Sequence, residues 1–110
     1  MMTVSEFEWS TQEKDIVKTA LETAYRRETS SLVQLIREKS EEISQVGDLW
    51  RLNDFLSARR FDLDGKYDDR EGEFLFVLAR LVKEGWLGAE DLTGIAAEKL
   101  AKISALTKIL

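Results

Sequence analysis

The stretch TQEKDIVKTALETAYRRETSSLVQLIREKSEEISQV, residues 11–46, decides the fold. Its apolar residues recur at a helical period: Val17, Leu21, Ala24, Leu32, Leu35, Ile43 and Val46, with Ile16, Ala20, Tyr25 and Ile36 widening the stripe. Ser10 precedes the run and Glu13 follows three residues later, the pattern of a reciprocal capping box. Gly47 supplies a stop. The spacing predicts one helix over 11–46, about 54 Å long at the usual rise. A compact domain of this length has a radius of gyration of about 13 Å and a diameter near ~35 Å, so such a helix overshoots it. The uncovered part of the stripe then needs a neighbour, and self-association is the simplest answer.

The remainder of the chain reads as shorter helices, which makes the fold all-α and the whole of 1–110 a single helical domain. Asp48 is placed to cap a second helix over 49–61, in DLWRLNDFLSARRF. That helix has two aromatic-bearing arcs. Leu49, Leu52, Phe55 and Leu56 form one; Trp50, Asp54, Ser57 and Phe61 form another, about a third of a turn or more away. Either both arcs are core, or one holds the fold or a dimer while the Trp50/Asp54 arc, with Arg60 nearby, meets a partner. DLDGKYDDREG reads as an interhelix loop with a D-G turn. A third helix over 70–84 contains FLFVLARLV, should be the most buried element, and closes at Gly85 with Trp86 and Leu87 as its capping contact. Phe74 and Phe76 point about 200° apart on it, so they face different surroundings. A fourth helix covers 89–109, with a break expected near Thr93 and Gly94; Lys99, Lys102 and Lys108 suit its negative end, and Lys102 also suits a docking patch.

Several function classes are excluded by what is missing. The chain has no Cys and no His, which removes disulfides, thiolate chemistry, sulfur-ligated metals and the usual general base. A net charge of -5 argues against a nucleic-acid footprint. The longest apolar run, FLFVLA, is far short of a membrane span, and MMTVSEFEWS lacks the basic and apolar regions of a secretory signal, so a cytoplasmic location is expected.

RRFDLDGKYDDRE, residues 59–71, imitates a calcium loop. With Gly65 at the turn position, Asp62, Asp64, Asp68 and Glu71 fall on ligand positions, but the first ligand position is Arg60. A guanidinium has no acceptor and carries a permanent positive charge, so the ligand set is broken and no metal is expected.

DLWRLNDFLSARRFDLDGKYDDR and LVKEGWLGAEDLTGIAAEKLAKI closely resemble the fluorescence recovery proteins of cyanobacteria, across residues 48 to about 106. The resemblance implies all-helical homodimers with a small helical head and no cofactor. It implies non-enzymatic binding to photoactivated orange carotenoid protein, mainly its C-terminal domain. That binding speeds return to the orange form and detachment from the phycobilisome, ending non-photochemical quenching. Carried over, the partner-facing residues are Trp50, Asp54, Arg60 and position 53, with Leu49, Leu52 and Leu56 at the dimer contact and Phe76 and Lys102 on the head. Asn53 and Phe61 stand where the family pattern has histidine; Asn53 keeps hydrogen bonding but cannot titrate. Peripheral attachment at the cytoplasmic face of the thylakoid is compatible with this resemblance, although no basic amphipathic helix requires it. The alternative is a helical dimeric interaction module for another partner.

Overall fold

The computed structural model describes residues 8–110, so most of the segment read above for a leader lies outside it. Helix α1 spans Thr11–Ser40 and α2 Val46–Lys66; a 3-10 turn at Glu71–Glu73 leads into α3, Phe74–Lys83, and another at Ala89–Leu92 precedes α4, Ala97–Thr107. There is no strand among the described residues.

The core is gathered at one end of the molecule. Helix α3 buries Phe74, Leu75, Val77, Leu78, Ala79 and Leu81, six of its ten residues, and packs on α4 and on the first half of α1. It is the most buried element, as its apolar run predicts. Val17, Ala20 and Ala24 of α1 and Ile103 of α4 close the cluster, with Trp9 edge-on to Phe74 at 5.3 Å. The capping box at Ser10 forms as read: the Glu13 amide donates to Ser10 Oγ and the Ser10 amide to Glu13 Oε1, both at 3.0 Å. Gly85, at φ 87°, ends α3 with the Gly85 amide donating to the Val82 carbonyl and the Trp86 amide to Leu81, the two bonds of a Schellman cap. The break expected near Thr93 and Gly94 is present. Gly94 has φ 102°, a conformation that favours glycine; a Cβ there would also have to displace the tip of the Ile16 side chain, 2.7 Å away.

The first helix is shorter than its stripe. Instead of one helix over 11–46, α1 stops at Ser40, where the amides of Glu41, Glu42 and Ile43 bond only three residues back. Asp48 explains the restart. Its carboxylate accepts from the Ser44 and Gln45 amides at 3.0 and 3.1 Å, drawing the chain out of α1 and opening α2 at Val46. Asp48 is therefore the third residue of α2 rather than its cap, and Gly47 lies in the first turn of α2 rather than ending α1. At its other end α2 continues past residue 61 and through Gly65 to Lys66, so DLDGK is helix, not loop. The third and fourth helices, expected over 70–84 and 89–109, are each a 3-10 turn followed by a shorter α-helix.

The molecule measures 57 × 26 × 23 Å with a radius of gyration of 17.0 Å, well beyond a compact domain of this length. All buried residues of α1 lie between Glu13 and Glu28, and α2 buries only Lys66. The second half of α1 and nearly all of α2 therefore project from the head as a stem without a sealed core of its own.

Candidate interaction surface

Helix α2 is held to the head by charges. Glu28, 1% exposed, accepts from Lys66 Nζ at 2.7 Å, from Tyr67 Oη at 2.7 Å and from Arg59 Nη2 at 3.5 Å. Lys66 also reaches Glu84 Oε1 at 2.5 Å, and Arg80 joins Glu84 to Asp62 at 3.0 and 2.9 Å. The chain of pairs thus ties the C-terminal turns of α2 to α1 and α3. Burial, reinforced by the hydrogen bond to Glu28 and its charge, pushes the Tyr67 phenol well above its ordinary value. Burial opposes ionisation of Glu84, yet Lys66 and Arg80 outweigh it and hold the carboxyl below the usual range. These contacts were not legible as pairs, because Lys66 and Tyr67 are 38 and 39 residues from Glu28. A signal did exist: Glu28 lies on the face of α1 that carries Val17 and Ala24, where a lone charge implies a buried partner.

The acids of the apparent calcium loop each face a cation. Asp62 pairs with Arg80 at 2.9 Å, Asp64 with Arg60 at 3.9 Å, Asp68 with Arg70 at 2.5 Å and Glu71 with Lys14 at 2.6 Å. Because α2 runs through Gly65, these carboxylates do not converge around a loop.

With its C-terminal turns fixed, α2 presents two unsealed faces, so the reading in which both arcs are core does not hold for the protomer. Leu49 is 47% exposed and Leu56 lies at the edge of exposure, with Leu52 and Phe55 half-buried. Leu52 and Phe55 border a groove of about 240 Å³ between the end of α1 and the start of α2, in which Lys39 stands over the Phe55 ring at 5.3 Å. Val33 and Leu35 on α1 are also exposed, extending the apolar surface of the stem. On the far side Trp50 is 63% exposed, with Asp54 exposed beside it; Asn53 and Arg60, four residues on from Leu49 and Leu56 respectively, are exposed between the two arcs. Among the described residues the Arg60 side chain is held only by the long contact to Asp64. The four candidate partner residues of α2 thus share one helix and are all accessible. Phe76 and Lys102 are exposed on α3 and α4, on the head; among the described residues no hydrogen bond or ion pair links them to the α2 group.

Comparison with known proteins gives the arrangement a context. The family described as "Photoprotection regulator fluorescence recovery protein" matches residues 9–107. The fluorescence recovery protein of Synechocystis sp. PCC 6803 is 43% identical over 109 residues, 99% of this chain and 100% of that protein. Its solved structure superposes with a TM-score of 0.88 at 44% identity, covering 92% of this chain and 99% of that one, and its R60K variant does so equally. The Fremyella diplosiphon fluorescence recovery protein gives a TM-score of 0.87 at 42% identity over the same shares. A match across nearly the whole chain, in sequence and in the head-and-stem arrangement alike, means that this chain belongs to the fluorescence recovery protein family of photoprotection regulators.

Proposed function

We propose that the protein ends photoprotective quenching by binding photoactivated, red orange carotenoid protein, mainly through that partner's C-terminal domain. It accelerates return to the orange form and promotes detachment from the phycobilisome. The observation that carries this reading is the outward face of α2, where Trp50, Asp54 and Arg60 stand exposed on a helix whose other end is fixed by the Glu28 cluster. Tryptophan and arginine are the residue types that most often dominate interface energy.

The protein does no bond chemistry of its own. A binder lowers a conformational barrier when it holds the barrier state more tightly than the starting state. Gripping a surface that opens only when the partner's two domains part meets that condition, and the same contact disfavours phycobilisome binding by linkage. The working unit is a homodimer joined through Leu49, Leu52 and Leu56, with Phe76 and Lys102 as a second contact on the head. It acts in the cytoplasm, at the face of the thylakoid where its partner works.

Mixing the purified chain with red-state carotenoid protein in the dark and following the visible spectrum tests this directly. Recovery should accelerate with concentration, and Trp50→Ala or Arg60→Ala should weaken it by about 2 kcal/mol of affinity while leaving helicity intact. Parental recovery rates for both variants at limiting concentration would falsify the assigned face.

A further inference from the structure

The exposed side of α2 extends beyond the residues named so far. Trp50, Asp54, Ser57 and Phe61 fall within an arc of about 60° and run along about 16 Å of helix axis. Phe61 closes that stripe and is 85% exposed, the most open large apolar side chain among the described residues. Arg59 and Lys66, which reach back to Glu28, point roughly 140–160° away from it, so α1 and α3 lie on the opposite side of the helix. The Leu49/Leu52/Leu56 arc is likewise turned away. A second copy seated on that arc therefore leaves Phe61 in water. Arg60, one residue earlier, points about 100° round the helix from it, between the two arcs; its side chain is 86% exposed and among the described residues is paired only with Asp64, at 3.9 Å.

We infer that Phe61 is a further anchor of the partner-binding face, inserting into an apolar depression of the carotenoid protein whose edge carries a carboxylate for Arg60. This rests on the function proposed above. Trp50 and Phe61 then grip at the two ends of one stripe, with Asp54 and Ser57 supplying the polar middle. Ring burial at such a contact is worth about tenfold or more in affinity, and the adjacent cation sets orientation.

The test measures dark recovery of the orange spectrum against concentration for the parental chain, Phe61→Ala, Phe61→Leu and Trp50→Ala, with molar mass by light scattering for each. Phe61→Ala should need about tenfold more protein for half-maximal acceleration, at an unchanged mass and saturating rate, and Phe61→Leu should regain most of the loss. If Phe61→Ala matches the parental chain while Trp50→Ala is impaired, the inference fails and the proposed function stands. If neither variant is impaired, the binding face itself is misplaced and both fall. A fall in mass for Phe61→Ala would assign the ring to a contact between copies and overturn the inference.

Discussion

At position 13 a carboxylate occupies a helix face that otherwise carries Val17, Ala20 and Ala24, and its neighbours explain how it stays there. Glu13 accepts from Lys99 Nζ at 2.7 Å and from the Ala96 amide at 2.9 Å, while Lys99 stands 4.7 Å from the centre of the Trp9 ring and also donates to the Glu8 carbonyl. Burial alone would raise the Glu13 carboxyl; the Lys99 hydrogen bond, the Ala96 and Ser10 amides and the Lys99 charge outweigh it and bring the value from 4.5 down to about 2. A lowered folded-state value means that the group contributes stability in full above its unfolded value and loses it as pH falls towards the folded one. Thermal stability should therefore decline between about pH 4.5 and about pH 2, with Asp62, Glu84 and Asp91 acting in the same direction. Glu13→Gln should lower stability at neutral pH by about 3 kcal/mol, since Lys99 stays buried, and should flatten the acid limb in a melting series. An acid limb identical to the parental one would show that the pair contributes nothing. The capping half of Glu13 was legible in the sequence; its bond to Lys99, 86 residues away, was not.

Among the elements, α3 was the most legible, because FLFVLARLV leaves few polar positions and Gly85 gives an unambiguous end. The ends of α2 were misread for opposite reasons. A local competitor, the Asp48 carboxylate, divides the long stripe near residue 45, whereas distant charges at Glu28 and Glu84 override the D-G turn signal and prolong the helix to Lys66. If the ion cluster is what holds α2, then Glu28→Gln should destabilise the chain by about 3 kcal/mol. It should also speed amide exchange over residues 59–67 while the α3 core keeps its protection. Parental exchange across that segment would refute the tethering role. The direction of Trp50 and Asp54 could be placed from spacing alone, since helical period fixes direction; Arg60, four residues on from Leu56, falls between the two arcs, and which arc would be buried could not be read, because neither is.

On the scale of the whole molecule, the elongation expected from residues 11–46 persists although the helix is divided. A radius of gyration of 17.0 Å leaves Val33, Leu35 and Leu49 without apolar cover. A second protomer supplies that cover in the proposed dimer. Leu49→Glu should then place an unpaired charge at the contact and shift the population towards the monomer mass in light scattering at low concentration. Unchanged mass would count against Leu49 as a contact. Helix content by circular dichroism should be preserved, because the head has its own core around Leu75, Leu78 and Leu81.

The joint of charges beneath α2 has a thermodynamic corollary. Heat-capacity increments on opening scale with the oily area newly wetted, and this helix seals no apolar side chain completely against its own protomer, Leu52, Phe55 and Leu63 being only partly covered. Swinging it away from an isolated subunit should therefore raise the calorimetric baseline much less than melting the head does.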